Sequence, residues 1–263
     1  MDLGIKGRVA LVSGADSGIG FATATLLAAE GASVVITDKS QAALDEAAQK
    51  LPLGIHAFAA DLTDVTQIAS LKKRVLDAVG APQILVNAAG VTGATGLFHE
   101  IDDQGWLDTL NIDLMSPVRL VRAFIDEMRA SGWGRIVLLA SEDAVQPYVD
   151  ELPYCAAKAA VLNLAKGLSK TYAKEGVLVN AVSPAFIATP MTDAMMRKRA
   201  NEKGTDFDEA IASFLDEERP FMELKRRGKA DEVASVVAFL CSERASFVNG
   251  SNYRVDSGSV ATV

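Results

Sequence analysis

The stretch of this chain best suited to acid–base chemistry is Tyr154-Cys155-Ala156-Ala157-Lys158. On a helix, Tyr154 and Lys158 fall one turn apart on the same face. An ammonium beside a phenol favours the phenolate. A free tyrosine titrates near ~10, and one pKa unit is worth about 1.4 kcal/mol, so bringing the phenol toward neutrality takes about 4 kcal/mol. A unit charge about 4 Å away, at an effective dielectric of about 20, supplies roughly that much. The pair predicts a tyrosine acid/base tuned by lysine, although the same spacing also arises by chance. Cys155 reads as a small buried residue rather than a thiol catalyst.

A second stretch could hold a ligand rather than transform one. Ser13-Gly14-Ala15-Asp16-Ser17-Gly18-Ile19-Gly20 follows the apolar run Arg8–Val12 and precedes a helical pattern. Glycines there permit a tight turn and let backbone N–H groups approach a pyrophosphate. Asp16, Ser17 and Ile19 complete the turn, and Gly20 allows the helix to pack closely on the strand. Asp38 closes the next strand, Val34–Thr37, where an acid accepts hydrogen bonds from a ribose 2′-OH and repels a 2′-phosphate. Asp16 adds to that repulsion, while Lys39 opposes it. The charge balance favours NAD, with NADP less favoured.

These residues need a scaffold, and the chain supplies a regular one. Strands are expected at Arg8–Val12, Ser33–Thr37, Ile55–Ala60, Gln83–Val86, Arg135–Ala140, Val177–Ser183 and Asn252–Val255. Helices are expected at Ile19–Glu30, Gln41–Leu51, Asp64–Val79 (capped by Asp61 or Thr63), Asp102–Ala130 with Pro117 as a bend, Pro153–Lys174 and Asp231–Cys241. Alternation of apolar strands with helices implies an α/β, doubly wound parallel sheet of Rossmann-like type, one domain over residues 1–263. Residues 186–227 break the rhythm, being charged, Met-containing and without an expected strand. They read as a helical substrate lid, with a solvated helical insertion as the alternative.

Composition narrows the partners. The 263 residues carry a net charge of −8, with no basic footprint for nucleic acid. No apolar run has the length of a membrane span. The N-terminus does not read as a secretory signal. Two cysteines and two histidines, His56 and His99, leave little material for disulfides, metal sites or a histidine triad. A cytoplasmic protein with a small-molecule substrate and no metal is the expectation.

Over essentially its whole length the chain resembles the short-chain dehydrogenases/reductases. The glycine turn is similar to the family's T-G-x-x-x-G-x-G, with Ser13 for the usual Thr. Asp61-Leu62 stands where the family places an acid that contacts the adenine. Asn87-Ala88-Ala89-Gly90 resembles N-N-A-G, with Ala88 departing from it. Asn111 lies in the long helix where the family keeps an Asn for a proton relay. Ser141 follows a strand, and Tyr154 and Lys158 match Y-x-x-x-K. Ser183-Pro184-Ala185 replaces the family's P-G segment, with Ile187 following and Thr189 in the place of a threonine that meets the nicotinamide amide.

The resemblance implies that Ser141 binds the substrate oxygen, Tyr154 exchanges its proton, Lys158 tunes Tyr154 and binds the nicotinamide ribose, and Asn111 holds a relay water. It also implies a homotetramer, with the helices at 102–130 and 153–174 packing against symmetry mates. Glu142, Tyr148, Phe186 and Met191 suggest a partly apolar substrate pocket with an acidic rim. Two reactions remain open: oxidation of a secondary alcohol such as a polyol, cyclic alcohol or dihydrodiol, or reduction of a 3-oxoacyl thioester. The runs Arg197–Arg199 and Lys225–Arg227 could meet the anionic tail of the second, or face solvent. A cofactor-binding scaffold or sensor without turnover is the rival of another class. A serine hydrolase is disfavoured, because no G-x-S-x-G elbow is present.

Overall fold

Strand-forming runs bounded by glycine turns set the sheet. The computed structural model describes residues 2–52 and 54–262. Met1, Leu53 and Val263, within the span read as one domain, lie outside them. In chain order the elements are β1 (Val9–Ser13), α1 (Gly18–Ala29), β2 (Ser33–Thr37), α2 (Gln41–Ala48), β3 (His56–Ala57), α3 (Val65–Val79) and β4 (Ile84–Asn87). They continue with α4 (Asp103–Asp113), α5 (Met115–Ala130), β5 (Gly134–Leu139), α6 (Leu152–Tyr172) and β6 (Val177–Pro184). The last group is β7 (Ile187–Ala188), α7 (Pro190–Lys203), α8 (Phe207–Glu217), β8 (Gly228–Lys229), α9 (Ala230–Leu240) and β9 (Asn252–Val255).

Seven strands form one parallel sheet in the order β3-β2-β1-β4-β5-β6-β9. The order reverses between β1 and β4, which opens a crevice at the strands' carboxyl ends. Side chains alternate across the sheet. In β1, Ala10 and Val12 join the core under α1, α2 and α9, while Leu11 joins the core under α3, α5 and α6. Both faces are thereby buried, which is why the strands read as continuous apolar runs. A third, smaller core of Phe186, Met196, Phe214, Leu215 and Met222 holds the lid together. Among the described residues no helix is long and apolar enough to cross a membrane.

Four expectations change. The helix expected at 102–130 breaks at Leu114, which ends α4 and begins α5. Pro117 does not bend it, because it sits in the first turn of α5, where its missing N–H has no helical partner to lose. The cap of α3 is Asp64, whose Oδ1 accepts from the N–H of Thr66 and Gln67, rather than Asp61 or Thr63. Segment 186–227 does contain a strand: β7 pairs with β8 and clips the lid's two ends together. The strand expected at Ile55–Ala60 keeps a ladder only at His56–Ala57, although Phe58 and Ala60 still donate to the carbonyls of Ile36 and Asp38.

Candidate active site

The turn after β1 is shaped by backbone crowding. Gly14 takes φ +66°, and a Cβ there would lie 2.5 Å from the Ala89 nitrogen. A Cβ on Gly20 would lie 2.0 Å from the Gly14 carbonyl oxygen. Only glycine lets the turn fold back so tightly onto α1 and the loop after β4. Ser17 stands at the N-cap of α1 without capping it, and its hydroxyl donates to Asp16 Oδ1 at 2.9 Å. The first-turn N–H groups of α1 therefore have no side-chain acceptor, and the helix dipole favours an anion there.

These groups open onto a cavity of about 340 Å³. The same cavity is lined by Asp38, Asp61-Leu62, Ala88–Gly90, Pro184, Ile187 and Thr189, and also by Ser141, Tyr154 and Lys158. A crowded glycine cradle, an open helix N-terminus and an acid at the end of β2 fit a dinucleotide. Asn87 does not line the cavity. Its side chain is buried and donates to Ser13 Oγ at 2.8 Å, tying β4 to the start of the turn.

Burial raises the pKa of Asp38, and the nearby charge of Asp16 adds to this, against the hydrogen bond that its carboxylate accepts from the Lys39 N–H. Lys39 does not project toward this acid alone: its ammonium lies 3.3 Å from Asp61 Oδ2. Asp61 also accepts from the backbone and hydroxyl of Thr63 at 2.8 and 2.7 Å. Burial raises the pKa of Asp61, but the bonds from Thr63 and Lys39 outweigh it and the net direction is down.

At the chemical end, Ser141 follows β5 and Tyr154 and Lys158 sit on the first turns of α6, begun with Pro153 in its opening turn. Lys158 Nζ donates to the Leu139 carbonyl at 3.1 Å and lies 5.3 Å from the Tyr154 ring centroid. The expected downward tuning of Tyr154 is not what this geometry gives. Its phenol is held well above 10, first by burial, then by the charges of Asp143 and Asp113, with a hydrogen bond from Ser141 opposing. Lys158, the cation expected to oppose this, has a counter-ion of its own. Asp113 Oδ1 lies 3.5 Å from Lys158 Nζ, and both side chains are buried.

Asp113 was missed, and Asn111 does not take the place expected of it. Arg119 donates to the Asn111 side-chain oxygen at 2.7 Å and to its carbonyl at 3.3 Å, turning it away from Lys158. Two residues further on, at the end of α4, Asp113 reaches Lys158 instead. The loop after β4 is built around that contact: Val91 N–H donates to Asp113 Oδ1 at 3.2 Å, and a Cβ on Gly90 would lie 2.7 Å from the same oxygen.

A smaller cavity of about 90 Å³ adjoins Ser141 and Tyr154. Glu142, Phe186 and Met191 line it, as do Asp143, Glu151 and Arg219, which the sequence did not single out. Tyr148 lines neither cavity. It stacks under Arg219, whose guanidinium carbon is 3.4 Å from the ring centroid, and its hydroxyl donates to Glu142 Oε1 at 3.4 Å. Glu142 is no solvated rim residue, being 1% exposed. The basic runs are largely neutralised: Arg199 pairs with Glu217, Arg226 with Glu232 and Arg227 with Asp193. His56 and His99 line neither cavity, and no cluster that could hold a metal occurs among the described residues.

A family model described as enoyl-(acyl carrier protein) reductase matches residues 14–260. The chain is 36% identical over 256 residues to a cis-4-hydroxycyclohexanecarboxylate dehydrogenase of Sinomonas cyclohexanicum, covering 97% of each. It is 33% identical over 262 residues to the 3-oxoacyl-(acyl-carrier-protein) reductase FabG of Aquifex aeolicus, covering 98% of this chain and 99% of that one. The structure of L-sorbose reductase from Gluconobacter frateurii, complexed with NADPH and L-sorbose, matches with a TM-score of 0.94 at 35% identity, covering 100% of both chains. Likeness that runs the full length of proteins named dehydrogenase and reductase alike, on a sheet whose switch point carries the glycine cradle, shows that the chain belongs to the short-chain dehydrogenase/reductase family, as an oxidoreductase that moves hydride between a nicotinamide cofactor and an alcohol or ketone carbon.

Proposed function

We propose that the enzyme interconverts a neutral secondary alcohol and its ketone with NAD, using Ser141, Tyr154 and Lys158. The observation that carries this reading is convergence: all three line the cavity into which the glycine cradle opens. Gly14–Gly20 would hold the pyrophosphate, Asp38 the adenosine ribose, Asp61 and Leu62 the adenine side, and Pro184, Ile187 and Thr189 the nicotinamide end. Bound nicotinamide supplies the hydride acceptor or donor, together with a positive charge when oxidised.

The chain's own residues handle the oxygen and its proton. Ser141 donates to the substrate oxygen and Tyr154 Oη exchanges the proton with it. Lys158 offers a hydrogen bond to the ribose and a charge to the phenol. Asp113 holds Lys158 by a direct ion pair, whereas the resemblance set Asn111 beside Lys158 through a relay water. The lid, with Phe186 and Met191 on its inner face, excludes water. Tyr154→Phe is expected to lower kcat by at least ~1,000-fold while NADH binding, read by fluorescence, stays within a few-fold. Near-normal turnover by that variant refutes the assignment.

NAD is favoured because Lys39, the cation next to Asp38 at the end of β2, pairs with Asp61. The L-sorbose reductase structure contains NADPH, so the preference has to be read from kinetics with both cofactors. A 3-oxoacyl thioester substrate is the second reading, supported by the FabG relative. The pairing of Arg199, Arg226 and Arg227 with acids weighs against an anionic tail docking there.

A homotetramer in a cytoplasmic, reducing setting completes the proposal. Exposed Leu107 on α4 and Phe98 just before it support a subunit contact along that helix, and both cysteines are free and buried. Light scattering of the purified protein decides the subunit number.

A further inference from the structure

The smaller cavity concentrates ionisable groups that the hydride-transfer chemistry does not use. Glu142, Asp143, Glu151 and Arg219 line it together with Phe186 and Met191. Burying such groups is unfavourable unless they find partners. Here the partnering is incomplete. Arg219, 8% exposed, is fixed between the rings of Tyr148 and Phe214. Its Nε lies 3.3 Å from Glu142 Oε1, but in an orientation that makes an ion pair without a hydrogen bond. Glu142 Oε2 also lacks a hydrogen bond of good geometry, although Glu142 is 1% exposed and the Ser259 hydroxyl is close by. One acceptor and one donor are thus left without a hydrogen bond on two residues that line a cavity touching Ser141 and Tyr154.

We infer that this cavity is a hydroxyl-recognition subsite for a compact, neutral, polyhydroxylated substrate, a polyol or the corresponding ketose, which carries hydroxyl groups beyond the one oxidised at Tyr154. The inference rests on the oxidoreductase reading above and names its substrate class. A hydroxyl both donates and accepts, and so can fill the leftover carboxylate oxygen and the leftover guanidinium N–H together. Asp143 and Glu151 line the same cavity, and burial raises them to about 6 and about 7, so this pair also offers a donor and an acceptor. An ammonium could only donate. A carboxylate or phosphate could only accept and would meet three acids against one arginine. The apolar lining residues, Phe186 and Met191, suit the C–H groups of the same molecule.

The test is a panel assay of the full-length enzyme by NADH absorbance. The substrates are hexitols and ketohexoses, their mono-deoxy analogues, cyclohexanol, a 3-hydroxy acid and an amino alcohol. The polyhydroxylated compounds are expected to exceed cyclohexanol by at least ~100-fold in kcat/KM, with about tenfold lost per hydroxyl removed, mainly in KM. Asp143→Asn, Glu151→Gln and Arg219→Leu are each expected to cut that ratio at least tenfold while still binding NADH. Cyclohexanol turned over as well as the polyols, a preference for the acid or the amine, or an unchanged ratio in variants that bind NADH overturns the inference alone. Absence of turnover with every neutral alcohol and ketone, with either NAD or NADP, overturns the oxidoreductase reading and this inference with it. The wild-type panel decides even where a variant fails to fold.

Discussion

Lys158 Nζ and Asp113 Oδ1 lie 3.5 Å apart in a setting where neither side chain is more than a few per cent exposed. The lysine that should bias Tyr154 toward phenolate is thus half-spent on a carboxylate. Asp113 Oδ2 has no partner at all. Burial raises the pKa of Asp113 even against the pull of Lys158. Asp113→Asn keeps the shape and an acceptor for the Val91 N–H, and removes the charge. The alkaline-rising limb of the oxidation rate is then expected to move to lower pH by on the order of one unit, because one of the negative charges that raise the Tyr154 pKa is gone. A pH profile of kcat/KM superimposable on wild type would remove Asp113 from the proton machinery. Asp113→Ala is a harsher change, expected to destabilise the fold by about 3–5 kcal/mol through an uncompensated buried lysine.

How much of this was legible follows the range of the interactions. Tyr154, Lys158 and Ser141 lie close together along the chain, so their grouping survives without knowing how helices pack. The Gly14–Gly20 turn is likewise local, and the seven strands announce themselves because both sheet faces are covered. Asp113 was not legible. The helix break at Leu114 decides which residue of α4 meets Lys158, and Arg119, from the next helix, takes Asn111 away. Pro117 drew attention to the wrong point, since proline in a first turn breaks nothing. Arg219 was hidden for the same reason: its role comes from stacking on Tyr148, 71 residues earlier in the chain, as well as on the nearby Phe214. The charged runs of the lid stayed open between an anionic tail and solvent, because their partners, Glu217, Glu232 and Asp193, become apparent only once the helices are placed.

The cradle makes a steric prediction. Gly20→Ala forces a methyl to within 2.0 Å of the Gly14 carbonyl oxygen, and that neighbour is backbone. The turn must open. Overpacking of this kind is expected to destabilise by about 1–3 kcal/mol. NADH affinity is expected to fall at least tenfold, because the N–H groups of α1 no longer converge. Calorimetry with and without NADH separates the two effects. Wild-type affinity in a folded Gly20→Ala protein contradicts the cradle.

Stability should depend on pH in a definite direction. Burial is the chief cause that pushes Asp143 up to about 6 and Glu151 up to about 7, with Glu142, Asp150 and Arg219 as the charged neighbours that modify this. Both acids therefore hold protons more tightly folded than unfolded. Their stabilising effect is complete below their unfolded values and is lost as pH rises through about 6 to 7. The melting temperature is expected to fall as pH goes from about 5 to about 8, and the fall should shrink in Asp143→Asn. Asp61, Asp64, Glu217 and Glu232 have lowered values and act in the acid direction, outside this window. A melting temperature that is flat or rising across the window contradicts the burial of this pair.

Asp38 gives the prediction about cofactor choice. It lines the large cavity at the end of β2, its Oδ1 takes the Lys39 N–H at 2.7 Å, and Asp16 contributes a like charge. A 2′-phosphate placed there meets carboxylates while the nearest ammonium is held by Asp61. One such repulsion, screened by partial exposure, is worth roughly ten- to a hundred-fold in binding. Wild type is therefore expected to show higher kcat/KM with NAD than with NADP. Asp38→Ser removes the charge and keeps a hydrogen-bonding hydroxyl. It is expected to raise the NADP-to-NAD ratio at least tenfold, with most of the change in KM, as befits a group remote from the reacting carbon. Adding Asp61→Asn should raise the ratio further by releasing Lys39 toward the phosphate. If wild type already prefers NADP, or if Asp38→Ser leaves the ratio where it was, the acid at the end of β2 does not set the choice.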